Sequence, residues 1–335
     1  MRVPFNDLRP AVSAILPELE TAIRRVMQSG HFLRGPETLQ FEAEFAAYCG
    51  QRHCVAVANG TDALTIAARA LRLVRAEVPG NSVWCTPEGL YRGGSNITIV
   101  DVDNQGRLPP RTINSLSVPV PLYGRPPSVD EESCALIDGA HATGWKPSNF
   151  GTTVAWSFYP TKTLGSLGDA GAITTNNAAL ADRMRQLAGR DDVFREPDQI
   201  VSRVSEMQAA ILRVKLRHLD EHIAQRRSVA DMYFQYLPDT VQHIYSHRER
   251  NTFHLFVIRV PEGKRDATIE TLRRMDIGHK VHFPTPLTDM PAPWARGGGI
   301  PNVRRWCDTV LSLPLFPGMT REEVQHVCRA LASVR

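Results

Sequence analysis

The stretch WSFYPTKTLGSLGDAGAITT, Trp156 to Thr175, holds one lysine, Lys162, among Ser, Thr, Pro and Gly residues. A lysine amine held away from water loses part of its preference for the charged form. In that state it can condense with an aldehyde. Upstream, LIDGAHATG carries an apolar strand, Ala135 to Ile137, that ends in Asp138, with His141 three residues on. A carboxylate at the C-terminal end of a parallel strand sits where α/β sheets place ligands, and it can hold a protonated ring nitrogen. Further upstream, a strand over Cys54 to Ala58 runs into Asn59-Gly60-Thr61 and a helix from Asp62. That turn offers unpaired N–H groups and the positive end of a helix dipole to a phosphate. Thr61 adds a hydroxyl, and Ser157, at a strand end before Lys162, adds another.

Each feature alone has a plain structural account: a capped helix, a turn-capping Asp, a loop histidine, a surface lysine. In this order on one sheet they supply an anion site, a carboxylate for a ring nitrogen and an amine for an aldehyde. Those are the three needs of pyridoxal phosphate (PLP).

Positioning these groups requires an α/β scaffold. Apolar spacing predicts helices over Val12–Ser29, Pro36–Cys49 and Ala178–Ala188, and one long amphipathic helix over Val204–Gln235. Short continuous apolar runs predict buried strands at Ser82–Thr86, Ile97–Val100, Val118–Pro121, Val154–Phe158 and Ala170–Thr174. After about Leu237 a strand (Thr252–Val260), a helix (Asp266–Met275), a Pro/Gly-rich stretch to Pro301 and a closing helix (Arg321–Val334) predict a smaller α+β domain. The expected division is therefore a large domain, 1–236, and a small one, 237–335.

The chain has 335 residues, 42% of them apolar and 22% charged, with a net charge of +4. This composition suits a soluble globular protein. Basic pairs such as Arg226-Arg227 and Arg304-Arg305 read mostly as solvated faces, and no basic tract with interleaved aromatics points to nucleic acid. Six cysteines without CxxC spacing give no metal or disulfide framework and suit a reducing cytoplasm. No leader-like apolar segment opens the chain, and no apolar run reaches the ~18 residues of a membrane span.

The motifs VPFNDLRP, SGHFLRGPETLQFEAEFAAYCG, NGTDAL, VPLYGRP, IDGAHATG, SFYPTKTLGSLGDAGAITT, EMQAAILRVKL and LSLPLFPGM follow one another along nearly the whole chain. In this order they resemble the DegT/DnrJ/EryC1/StrS family of fold-type I, PLP-dependent sugar aminotransferases. The resemblance implies a mostly parallel central sheet flanked by helices and a homodimer with its active site at the interface. It implies that Lys162 binds the cofactor aldehyde and then carries the proton, while Asp138 pairs with the pyridine nitrogen. Gly60, Thr61 and Ser157 would bind phosphate, His141 would sit near the phenolate oxygen, and Tyr91 would stack on the ring. The segment HKVHFPTPL, with His282 and Phe283, would approach substrate. The implied reaction moves an amino group from glutamate or glutamine to a keto group of a nucleotide-linked deoxysugar. A cyclitol or aminobenzoate precursor is an alternative acceptor, and a catalytically silent partner or regulator is an alternative of another kind. Lysine at 162, rather than the histidine of the dehydratase branch, favours transamination.

Four departures from the family pattern stand out. Val201 occupies the place of an Asn that reaches the partner's cofactor phosphate. Gly139 replaces an alanine. Arg92-Gly93-Gly94-Ser95 reads as a trimmed helical region. The segments 103–118 and 127–135 are compressed, leaving Ser128–Ser133 too short for a normal helix.

Overall fold

The computed structural model describes residues 1–149, 151–189, 199–246 and 248–334. The chain opens with α1 (Arg9–Ala14), α2 (Leu16–Ser29) and α3 (Pro36–Cys49). Next come β1 (His53–Val57), α4 (Gly60–Leu71), β2 (Arg75–Pro79), α5 (Cys85–Arg92), β3 (Asn96–Val100) and the one-turn α6 (Val129–Glu132). β4 (Leu136–Asp138), β5 (Thr153–Ser157), β6 (Gly171–Thr175) and α7 (Ala178–Leu187) follow, then α8 (Glu206–Arg217) and α9 (Leu219–Tyr236). The C-terminal part holds β7 (Gln242–His243), β8 (Phe256–Arg259), α10 (Arg265–Arg274), α11 (Pro301–Thr309), β9 (Val310–Leu313) and α12 (Arg321–Ala332).

Four strands form a sheet in the order β1-β6-β5-β4. β6 runs antiparallel to both neighbours, whereas β4 and β5 are parallel, as are β2 and β3. Residues 116–119 connect the two groups: Glu77 N–H donates to the Leu116 carbonyl, Val118 N–H to the Glu77 carbonyl, and Asp138 N–H to the Pro119 carbonyl. The predicted strand Val118–Pro121 is therefore extended and paired but forms no regular ladder, because Pro119 and Pro121 have no N–H to give.

Alternation along the strands builds two cores. Val55, Val57, Ala155 and Ile173 face Ala63, Ile66 and Ala67 of α4 and Met184 of α7. Cys54, Ala56, Val154, Trp156 and Ala172 face Phe41 and Phe45 of α3 and Leu212 of α8. Each large side chain buried here contributes about 1.5–3 kcal/mol relative to exposure. A third core gathers β8, β9, α12 and the second half of α9, around Tyr233, Phe253, Phe256 and Leu331. α9 joins the cores, with Leu219 and Ile223 in the sheet core and Val229 and Tyr233 in the C-terminal one.

Several predicted elements are corrected. Val204–Gln235 is two helices parted at His218, so that α8 lies on α2 and α3 while α9 runs on to α12. Val12–Ser29 is broken at Ile15, ahead of Pro17, which cannot donate to a continuing ladder. Ser82–Thr86 is no strand: its second half starts α5, and the preceding strand is β2, whose Arg75 and Glu77 hide it from an apolar count. The helical turns that seemed trimmed at Arg92–Ser95 thus lie before that point. Gly93 follows them because a Cβ there would meet Ala68 Cβ at 2.6 Å. α6 survives as one turn through a capping box between Ser128 and Glu131, with Glu131 also paired to Arg107 at 2.9 Å. α11 and β9 had no counterpart in the sequence reading. Arg226 is buried, not part of a solvated face.

Candidate active site

The ends of these elements converge on a cavity of about 880 Å³. Gly60 and Thr61 at the start of α4, Asp138 at the end of β4, Ser157 at the end of β5, and His141 and Lys162 on the loops beyond all line it. His282 and Phe283 enter from the C-terminal part, and Phe5 and Asn6 from the N-terminal arm. The arm is held there by Val3, whose N–H donates to the Asp276 carbonyl at 2.9 Å and whose carbonyl accepts from Gly278 N–H at 2.7 Å.

Asp138 is almost fully buried, at 3% exposure. Thr86 Oγ1 donates to its Oδ2 at 2.6 Å, and Ala140 N–H to its Oδ1 at 3.1 Å. Burial pushes the carboxyl pKa up, against the pull of Thr86, Ala140 and Lys162. A carboxylate placed so is stabilised by a cation facing it. Lys162 has its pKa drawn down to about 8 by burial, with Asp138 and Cys85 opposing the shift. Its loop is pinned by Lys162 N–H to the Tyr159 carbonyl and Ser166 N–H to the Phe158 carbonyl, both 2.8 Å.

The start of α4 leaves its first N–H groups without intrahelical partners. Asn59 caps it by accepting from Asp62 N–H at 2.8 Å. Gly60 is required by packing: a Cβ there would meet Ser157 Cβ at 2.8 Å. Glycine thus brings the Ser157 hydroxyl beside the helix end. Ser202 braces the same end, donating to Asp62 Oδ2 at 2.6 Å and accepting from Ala58 N–H at 3.0 Å. Its neighbour Val201 is 78% exposed.

Three histidines share the inner wall. His141 Nδ1 accepts from Tyr123 N–H at 3.3 Å, so its own proton is on Nε2. Burial, then Lys162 and His282, hold it well below the usual histidine range, so the ring is neutral. His254 lies 4.5 Å from His141, ring centre to ring centre, and its buried Nδ1 has no partner. His282 Nδ1 meets Ser312 Oγ at 2.8 Å, and its carbonyl accepts from Tyr123 O–H at 2.7 Å. Burial lowers its pKa to about 4. Phe283 lies nearly parallel to His141, 6.3 Å away.

One expected residue is misplaced. Tyr91 does not line the cavity and is 44% exposed. Trp84, just before α5, lines it instead, with Cys85 beside it. Tyr91 stands two turns further on, about 10 Å along the axis. The sequence reading also missed Thr86, which holds Asp138, and His254 and Asn6 in the wall. The WCT run carried the signal, had it been read as a helix start. At Gly139, a Cβ would meet Val154 Cγ1 at 2.6 Å and Trp156 Cε3 at 2.9 Å, so alanine has no room beside this tryptophan. Among the described residues no group of three His, Cys, Asp or Glu could hold a metal ion.

Residues 14–119 and 130–332 match the DegT/DnrJ/EryC1/StrS aminotransferase family. The chain belongs to this family. Among curated relatives, the erythromycin biosynthesis sensory transduction protein EryC1 of Saccharopolyspora erythraea is 35% identical, covering 99% of each chain. The dTDP-3-amino-3,4,6-trideoxy-alpha-D-glucose transaminase of Streptomyces venezuelae is 33% identical over 98% of this chain and 95% of that one. Among solved structures, S. venezuelae DesV in complex with a ketimine intermediate superposes with a TM-score of 0.91 at 32% identity, covering 98% and 97% of the two chains. A family aminotransferase from Brucella abortus gives 0.90 at 26% identity, covering 99% of each. As a member of the DegT/DnrJ/EryC1/StrS family with this fold, the chain is a PLP-dependent aminotransferase.

Proposed function

We propose that the chain transfers an amino group from glutamate or glutamine to the keto group of a nucleotide-linked deoxysugar. The observation that carries the reading is one cavity holding Lys162, Asp138 and the glycine-opened end of α4 together. Relatives named as transaminases or aminotransferases of dTDP- and UDP-linked sugars support the acceptor class.

The residues present fit the cofactor. The start of α4, which Gly60 lets pack close against Ser157, offers free N–H groups with the Thr61 and Ser157 hydroxyls beside them, and these suit a phosphate at the helix end. The buried Asp138 carboxylate faces the need of a protonated ring nitrogen, and Trp84 offers an aromatic face. PLP, when bound, supplies an aldehyde and an electron-withdrawing ring. The protein's part is then proton handling and charge placement. Lys162 Nζ, with its lowered pKa, gives and takes the proton at the substrate carbon. Asp138, held by Thr86 and Ala140, keeps its charge at the ring nitrogen. His141 presents its Nε2–H, and His282 and Phe283 form the wall toward substrate.

In this reading the protein works as a cytoplasmic homodimer, with the sheet part (1–236) and the C-terminal part (237–335) as its two domains. In the same reading Val201, which is exposed, faces the partner's pocket, where its side chain offers no hydrogen bond. The regulatory names of two relatives, EryC1 and the pleiotropic regulatory protein of Geobacillus stearothermophilus, keep a signalling role as the second reading. A glutamate titration of PLP-loaded protein followed by absorbance, then a mass-spectrometric screen of keto-sugar nucleotides, separates the two. Loss of the near-visible band with glutamate and an aminated sugar are expected. A band indifferent to glutamate and glutamine would favour the regulatory role.

A further inference from the structure

A second, smaller cavity, about 30 Å³, also reaches Lys162. Lys162, Thr163 and Gly165 line it from the loop, Lys215 from α8, and His222 and Arg226 from α9. Its charge is unbalanced. Arg226 is buried, at 4% exposure, and a guanidinium does not lose its proton. Its hydrogen bonds all leave from Nη1, to the carbonyls of Phe253 and His254 at 3.3 Å and Leu315 at 3.4 Å. Lys215 donates to the Gly165 carbonyl. Burial draws its pKa down to about 8.

Neither cation pairs with a carboxylate among the described residues. Asp7, which also lines the cavity, gives both its oxygens to Arg9, at 2.7–3.2 Å. Lys162, which also lines the cavity, is an amine and supplies no negative charge; His222 is held below the usual histidine range by burial and by the charges of Arg226 and Lys215, and supplies none either. The Thr163 hydroxyl is buried and has no hydrogen-bond partner. A buried guanidinium beside a half-buried ammonium, with no counter-ion, is costly, and so is an unmatched buried hydroxyl. The cavity has room for a particle of roughly one or two waters and no more. A phosphate or an amino acid carboxylate does not fit.

We propose that this cavity binds one small monovalent anion of halide size, held by Lys215, Arg226 and the Thr163 hydroxyl. The anion fastens the Lys162 loop to α8 and α9. It takes no part in group transfer, and no bond is made or broken. The proposal does not depend on the sugar or on the amino donor.

Crystals of the PLP-loaded protein grown in sodium bromide, measured at the bromine absorption edge, test it. The expected result is an anomalous peak between Lys215 Nζ and the Arg226 guanidinium. Density there that water alone explains, with no anomalous peak, overturns it. In solution, melting temperature is compared in chloride and in gluconate at equal ionic strength, since gluconate is too large to enter. Chloride should raise it saturably by about 2 °C or more. The rise should vanish in Thr163→Val and in Lys215→Gln, which keeps a hydrogen bond to Gly165 but loses the charge. Identical wild-type curves in the two salts would also overturn it. Should Lys215→Gln fail to fold, Thr163→Val and the bromide map still decide.

Discussion

Lys162 is partly buried and Asp138 almost fully so, and burial pushes their pKa values in opposite directions. Lys162→Ala should lower turnover by about 10³-fold or more, with an unchanged melting temperature, because its loop is held by backbone bonds. Retained turnover would remove the amine from the reaction. The free amine is the form that attacks an aldehyde, and its fraction rises with pH. Cofactor uptake by the apoprotein should therefore rise through a midpoint near 8, not near the 10.5 of a solvated lysine. Stopped-flow absorbance measures this. At this scale the sequence was informative wherever a group sits at a strand end or glycine turn: Gly60, Thr61, Asp138, His141, Ser157 and Lys162 all line one cavity. It was silent where tertiary contact decides. His254 reaches the site because the left-handed Tyr123-Gly124 turn clamps its segment, and a Cβ at Gly124 would meet His254 N at 2.3 Å.

The elements that aim these side chains depend on buried polar ties. The Glu206 carboxylate, 1% exposed, accepts from Glu37 N–H at 2.7 Å, Thr38 N–H at 3.0 Å and the Thr38 hydroxyl. It thus serves the free N–H groups at the start of α3 from the first turn of α8. Glu206→Ala should cost about 3 kcal/mol in denaturant unfolding, with kcat per folded molecule unchanged. A loss under ~0.5 kcal/mol would mean that water replaces the carboxylate. Helix α3 was legible to the residue, since Pro36 opens it and Gly50, at φ 70°, ends it. β2 was not, because the charges of Arg75 and Glu77 mask its buried Ala76 and Val78. Val118–Pro121 forms no regular strand for the reverse reason: it is apolar enough for one, but Pro119 and Pro121 have no N–H to give to a ladder.

For the whole molecule, the sheet core on the α3 and α8 side and the C-terminal core meet through α9, and the cavity is lined from both the sheet part and the C-terminal part. Fold class was legible because strand, glycine turn and helix follow one another in the N-terminal half. The strand β9 was hidden, since a four-residue run after α11 has no turn signal before it. Sedimentation should give a homodimer, and Val201→Asn should tighten PLP binding by about tenfold or more, the worth of one hydrogen bond to a charged group. An unchanged dissociation constant would mean that another donor already serves the phosphate.

Borohydride reduction of PLP-loaded protein, followed by peptide mass mapping, tests the central claim most directly. The account predicts the pyridoxyl label on the peptide carrying Lys162, and no label in Lys162→Ala. A label on Lys215, Lys280 or any other lysine, or none at all in the wild type, would contradict it.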